Sequence, residues 1–546
     1  MIVSVTAVAD FIVSRLREAG VACLFGVPGG GTNLDLIDAA GRAGLPFVLT
    51  STETAAALAA MAQAEITGCP GACLTTLGPG ATSIVNGVAC SFLDRAPLIV
   101  FTDTYPAAAR NVYEHQRLDH RALLAPITKW SATVAADTIA DTLDRALDTA
   151  VAPPPGPVHL DCPGDVAAAH VGELAPPRDL GPRGPSPIEP YDDDARDHGD
   201  GRLDALLSHS RRPLLLVGLG ARLTADASAI RAFCEQRGVP AMVTYKAKGV
   251  VPDGHPFFAG VFTNAAIEQP LVDDSDLLIG VGLDPVELLP RLWKRDQPTV
   301  YCGRWPVEDR HVPFAAQLVA GVPAALQRID ALLPPASWDA DEVRRKVDDQ
   351  RRRVSIPASG MSAQRVIEIA ARRLAPVARV TIDAGAHMFP ATMLWPVGGP
   401  NDLLISNGLS TMGFAVPAAI GAALLDRGRP VVALTGDGGL LMCAAELLTA
   451  AREQLRIIVI VFSDASLSLI EIKQQQRELR PSGVALGQIA WPALAGSLGV
   501  TAFCAANEPQ LERCVEQALE CSGPSLIEAR IDRSNYGATF RAVRQP

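Results

Sequence analysis

Short apolar, β-branched runs alternate along this chain with stretches whose apolar positions recur at helical spacing. A run at 431–434 leads into Gly436-Asp437-Gly438-Gly439, read as a tight glycine turn. A helical pattern follows around Leu447, Leu448 and Ala451, and a second run at 457–462 ends in Ser463-Asp464. Strand, turn, helix, strand predicts a right-handed βαβ unit with parallel strands. Similar runs at 23–26, 47–50, 72–76, 98–102 and 156–161 surround an Ala-rich helix over 54–67. Others fall at 213–218, 240–244 and 277–282, with a helix over 226–236. The last part pairs a helix over 363–374 with a strand at 377–383, then a small-residue helix over 415–425. Near-continuous apolar strands separated by helices predict an α/β fold: three doubly wound parallel-sheet domains. Their expected bounds are 1–170, 201–335 and 361–546. A Pro-, Asp- and Gly-rich linker is expected at 171–200. A second, at 336–360, holds a charged run (341–353) read as a solvated helix.

Composition narrows the picture modestly. The chain has 546 residues, 48% hydrophobic and 20% charged, as expected for several large cores. A net charge of −11 argues against nucleic acid or an anionic membrane as the main partner. The 11 cysteines show neither zinc spacing nor a CxxC form, which suits a reducing cytoplasm. The first twenty residues read as an amphipathic helix rather than a signal peptide, and no apolar run reaches membrane-spanning length.

Candidate chemistry lies at strand ends. Asp437 and Asp464 are 27 residues apart, one crossover, and each ends its strand on the carboxyl edge, where such sheets bind ligands. Two hard oxygen ligands beside glycine amides suit Mg2+ bridging to a diphosphate. Glu53 also follows a strand and opens the Ala-rich helix. Gly218-Leu219-Gly220 lacks the rest of a dinucleotide fingerprint.

The Gly-Asp-Gly motif with its closing polar pair resembles thiamine-diphosphate-dependent enzymes: acetolactate synthases, 2-oxo acid decarboxylases and benzaldehyde lyase-like proteins. The resemblance covers about 500 residues, including Phe25-Gly26-Val27-Pro28-Gly29-Gly30-Gly31, Leu77-Gly78-Pro79-Gly80 and Ala125-Pro126-Ile127-Thr128-Lys129-Trp130. It implies a pyrimidine-binding, a central Rossmann-like and a diphosphate-binding domain, in that order. It implies that Asp437, Asp464 and the Ser466 carbonyl hold the metal, with Asp464 standing where an asparagine is usual. Glu53 would polarise the pyrimidine ring, and Met412, in Leu409-Ser410-Thr411-Met412, would wedge the bent cofactor. Further cofactor contacts are expected at Gly29, Gly30, Gly78, Gly385, His387, Leu409, Gly436, Gly438 and Gly439. Leu467, Ser468, Leu469 and Ile470 are expected on the substrate side. Gln116 and His115 are the expected substrate-facing groups. FAD is not expected, because Gly282-Leu283-Asp284-Pro285 replaces the segment associated with flavin.

The resemblance further implies a homodimer, or paired dimers forming a homotetramer, with each site shared between subunits. The reaction expected is decarboxylation of a pyruvate-like 2-oxo acid and transfer of the acyl-anion fragment to an acceptor. Alternatives are a lyase or decarboxylase, a carboxyethylarginine synthase-like enzyme, and a non-catalytic relative. A flavin or nicotinamide oxidoreductase is a third class. The apolar Ile470, where simple pyruvate decarboxylases carry an acid, favours carboligation.

Overall fold

A computed structural model of the chain describes residues 6–109, 111–171, 196–197, 201–308 and 310–544. Most of the expected linker at 171–200 lies outside the described residues. The chain divides into two compact units. One comprises Met1–Pro187, Val416–Arg427 and Cys443–Leu455; the other comprises Ile188–Ala415, Gly428–Met442 and Arg456–Pro546.

The first unit holds a six-stranded parallel sheet. Its spatial order is Phe47–Leu49, Leu24–Val27, Gly71–Thr75, Leu98–Thr104, Pro157–Pro163 and Trp130–Thr133. The helix Glu53–Thr67 packs so closely that a Cβ on Gly71 would lie 2.3 Å from the Ala60 carbonyl oxygen. Alanine on one side and glycine on the other allow that approach, which leaves the helix little room to shift. The helix Ala415–Leu425 is equally close: a Cβ on Gly421 would lie 2.2 Å from the Ala59 carbonyl oxygen, and Gln63 Nε2 donates to the Gly421 carbonyl at 3.1 Å.

The second unit holds two sheets. One has the order Phe258–Val261, Ala241–Val243, Pro213–Val217, Leu277–Val281, Thr299–Gly303 and Phe314–Val319, all parallel. The two residues Arg196–Asp197 add antiparallel to its end. The other has the order Leu403–Ile405, Arg379–Ile382, Val431–Gly436, Ile457–Ser463, Ser525–Arg530 and Thr501–Ala505, all parallel. Its central strands are buried along almost their whole length, which is why they read as apolar runs rather than alternating ones. In chain order, the first sheet and this one share one arrangement, second-first-third-fourth-sixth-fifth. The middle sheet is third-second-first-fourth-fifth-sixth, the order of dinucleotide-binding folds.

Three local features differ from the sequence reading. Trp130–Thr133 is an edge strand, hidden in the sequence because its residues are only half-buried and carry no apolar run. The charged helix Ala340–Val354 is more than a solvated rod, since it buries Val343, Val347, Gln350 and Val354 along one stripe. Asp437 opens a helix, Asp437–Cys443, so Gly438 and Gly439 lie in a helical turn rather than a reverse turn. Their missing side chains serve close approach: a Cβ on Gly439 would meet Asp383 Oδ2 at 2.3 Å, and one on Gly438 would meet Leu467 Cδ2 at 2.4 Å.

Candidate active site

In the first unit Glu53 lies beside Gly80, in the segment that follows the strand Gly71–Thr75. Thr52 caps its helix, the side chain accepting from the Ala55 amide at 3.2 Å, and Glu53 occupies the first turn, where the helix dipole favours an anion. A Cβ on Gly80 would lie 3.2 Å from Glu53 Oε1. Gly78, at φ +63°, is pressed against Gln116: its Cβ would lie 2.8 Å from the Gln116 carbonyl oxygen. Gln116 itself adopts φ +56°, a left-handed conformation that costs a non-glycine residue energy and marks a constrained loop. His115 is exposed, and its carbonyl takes the Tyr105 hydroxyl at 2.8 Å. Gly29 donates its amide to Asn33 Oδ1 at 3.0 Å, and Asp103 holds Asn33 through its amide (3.0 Å) and Nδ2 (2.8 Å). Gly30 has open space where a Cβ would be.

Sequence reading missed the buried supports beneath these loops. Burial pushes the Asp103 carboxyl up to about 6. The Gly78 amide donates to His120 Nε2 at 3.2 Å. That ring's Nδ1 pairs with Asp161 at 2.9 Å, and Asp161 accepts from Thr102 Oγ1 at 2.7 Å. This polar chain ties the Gly78 loop to the centre of the sheet. Sequence offers no local signal for it, because each partner lies on a different strand or loop.

In the second unit Asp437, the residue after the strand Val431–Gly436, lies beside Asp464. Asp437 Oδ2 accepts the amides of Asp464 (2.8 Å) and Ala465 (2.7 Å), and Oδ1 accepts the Trp491 indole at 2.7 Å. Asp464 accepts from the Ser466 amide at 3.0 Å and from Ser468 Oγ at 2.5 Å. Burial, aided by the like charge of Asp437, pushes Asp464 up to about 6. Ala465, at φ +57°, makes this turn a second constrained loop. Met412 meets Gly438, whose Cβ would lie 3.0 Å from Met412 Cε. Asp383 gathers three segments: its carboxylate accepts the amides of Ala384, Gly413 and Phe414 and the Thr435 hydroxyl. His387 is buried, stacked on Phe462 at 4.9 Å, and its Nε2 has no partner among the described residues. A Cβ on Gly385 would lie 2.8 Å from that ring, and one on Gly436 3.5 Å. Leu469 turns instead toward the core of this domain, and Ile470 is 44% exposed. Leu409 is half-buried, one residue before Ser410 at φ +53°.

Three models of thiamine pyrophosphate enzymes match the chain in succession. The N-terminal TPP binding domain matches residues 6–123, the central domain 202–329 and the C-terminal TPP binding domain 383–529. An acetolactate synthase large subunit from Parasynechococcus marenigrum is 30% identical, over 96% of this chain and 87% of that protein. The chain belongs to the thiamine pyrophosphate enzyme family. As a member it is a thiamine-diphosphate-dependent enzyme that makes or breaks C–C bonds. The catabolic acetolactate synthase of Raoultella terrigena is 28% identical over 96% of this chain and 95% of its own length. A probable 2-ketoarginine decarboxylase of Pseudomonas aeruginosa is also 28% identical, over 95% and 93%. No helix among the described residues is long and apolar enough to cross a membrane.

The residues present fit the family's cofactor. His387 Nε2 is a buried polar atom with no partner among the described residues, and a diphosphate oxygen would suit it. Asp437 and Asp464 are adjacent carboxylates whose mutual repulsion a divalent cation would relieve. No group of three or more His, Cys, Asp or Glu side chains suited to a metal occurs among the described residues, so a cation beside these two carboxylates would need further oxygens from backbone, diphosphate or water. The central domain is different at its own switch point. The Leu219 amide is taken by Glu287 Oε2 at 2.8 Å and the Gly220 amide by the Gly282 carbonyl at 2.9 Å. A Cβ on Gly220 would lie 2.9 Å from Trp305 Cη2.

Proposed function

We propose that this enzyme is an acetolactate synthase-like carboligase: it decarboxylates a pyruvate-like 2-oxo acid and transfers the acyl-anion fragment to an acceptor carbonyl. The observation that carries the choice is Ile470, apolar and 44% exposed, where an acid would favour early protonation of the carbanion. Full-length similarity to several acetolactate synthases supports it.

Thiamine diphosphate, when bound, supplies the carbanion chemistry. Glu53 would hydrogen-bond the pyrimidine ring and so orient it. Asp437, Asp464 and the Ser466 carbonyl hold Mg2+, and His387, Gly385, Gly436, Gly438 and Gly439 receive the diphosphate. Met412, with Leu409, would support the bound cofactor. Gly29, Gly30 and Gly78 let backbone approach the ring, and Gln116 and His115 face the substrate with Leu467 and Ser468. Leu469 acts from behind, through packing. The pyrimidine-binding half comes from 1–170 and the diphosphate half from 361–546 of a second copy, in a homodimer. The central domain, 201–335, works without FAD, a reading supported by Glu287 on the Leu219 amide. Eleven cysteines without zinc spacing or a CxxC form suit a reducing cytoplasm.

The similarity to a 2-ketoarginine decarboxylase favours a second reading, decarboxylation of a larger 2-oxo acid without ligation. One experiment separates them: carbon dioxide release and product analysis with pyruvate and a guanidino-bearing 2-oxo acid, with and without aldehyde and 2-oxo acid acceptors. Hydroxy-ketone products from pyruvate support the carboligase; aldehyde as the sole product from every donor overturns it.

A further inference from the structure

We propose that Glu446 is a positioning residue for Glu53, setting where the carboxylate of Glu53 meets the cofactor; the proposal rests on Glu53 being the acid that polarises the pyrimidine. Glu446 is 1% exposed and opens the short helix Glu446–Arg452 of the first unit. Its Oε1 accepts two successive amides, Ser51 at 3.0 Å and Thr52 at 3.1 Å. Its Oε2 accepts the Thr449 hydroxyl at 2.8 Å. Around this pair the same helix adds two more ties: Ser51 Oγ donates to the Ala445 carbonyl at 3.1 Å, and the Arg452 guanidinium donates to the Leu49 carbonyl.

Apart from the Thr449 bond, which lies within the helix, these contacts fall on the last residue of the strand Phe47–Leu49 and on the turn before the helix that begins at Glu53. Ser51 and Thr52 are exposed, so packing does not fix the turn. The body of the helix is closely packed at Gly71 and Gly421, which leaves it little room to shift. The freedom left to Glu53 is therefore that of the turn before it, and Glu446 removes it. The bonds are charge-assisted, and one oxygen takes both amides, a task no apolar side chain of the same size performs. A residue needed only to fill space here would not bury a carboxylate, which is costly unless its hydrogen bonds are used. The geometry also explains why the acid points toward Gly80 rather than into solvent: the turn enters the helix at one angle.

The test uses the full-length protein with thiamine diphosphate and Mg2+, and reads exchange of the cofactor's C2 proton into D2O by NMR after acid quench. This step needs Glu53 but no substrate. Glu446→Ala is expected to slow exchange about tenfold or more, while cofactor affinity by titration calorimetry changes less than about threefold. Glu446→Gln, which retains an oxygen for both amides, is expected within about threefold of the parent. Glu446→Asp, one methylene shorter, is expected to slow exchange while still folding, and serves if the alanine variant does not fold. Unchanged exchange in folded Glu446→Ala or Glu446→Asp overturns the proposal, as does Glu446→Gln as slow as Glu446→Ala. Glu53→Gln in the same assay keeps the two claims apart. Loss of exchange there with full exchange in Glu446→Ala overturns the role of Glu446 alone; full exchange in Glu53→Gln overturns both.

Discussion

The indole Nε1 of Trp491 donates a 2.7 Å hydrogen bond to Oδ1 of Asp437, the carboxylate whose other oxygen is held by the amides of Asp464 and Ala465. Trp491 is fully buried, so this bond is shielded from water and fixes the rotation of the carboxylate. Groups that orient a metal's ligand in this way are worth about 10–100-fold in metal affinity. Trp491→Phe keeps the ring but not the donor. It is expected to weaken Mg2+ binding about tenfold, measured by calorimetric titration in the presence of thiamine diphosphate. Unchanged affinity would show that the bond plays no part in holding the ion.

Glu53 should be essential to turnover. Glu53→Gln preserves shape and the first-turn position but cannot share a proton with a ring nitrogen. We expect activity to fall by about a hundredfold or more, with an unchanged melting temperature. Near-parental rates would remove Glu53 from the chemistry.

Gly80 sits between Thr75 and Glu53 with no room for a side chain. A Cβ there would sit 2.0 Å from Thr75 Oγ1 and 3.2 Å from Glu53 Oε1. Gly80→Ala is expected to cost about 1–3 kcal/mol of stability through overpacking and to lower kcat more than KM. Gly30→Ala, where space is open, is the comparison: it should leave stability nearly unchanged.

Glu287 predicts a pH dependence. Burial, with the nearby charge of Asp284 contributing, pushes its carboxyl from the ordinary 4.5 up to about 8. A raised acid means the folded state keeps a proton that the unfolded chain has released. Stability from this group is therefore full below about pH 4.5 and lost as pH rises toward and through 8. Glu287→Gln removes that titration. The difference in unfolding free energy between the two proteins should change with pH by up to about 1.4 kcal/mol per unit between pH 5 and 8, in the direction that favours Glu287→Gln at the alkaline end. A pH-independent difference, read from urea titrations, would show that Glu287 is ionised throughout.

What the sequence alone determined is what can be read within a short window. Burial on both faces of a parallel sheet forces continuous apolar strands, so the runs near 431, 457 and 277 were legible, as were the helices Ala363–Leu374 and Ala415–Leu425, matched to the residue. The acids that close such strands, Asp437 and Asp464, were legible for the same reason, and the family resemblance assigned them a role. Trp130–Thr133 escaped because an edge strand, half-buried, has no such pattern.

Tertiary structure alone decided who meets whom. Trp491 lies 54 residues from Asp437, and Glu446 lies 395 from Ser51. His120 reaches Gly78 across 42 residues because both loops rise from one sheet edge. Gly438, read from sequence as part of a tight turn, instead lies in a helix and admits Leu467 and Met412, which only the tertiary contacts decided. Periodicity is set by each residue's own burial, whereas these contacts depend on the spatial order of the strands, which no local window of sequence contains.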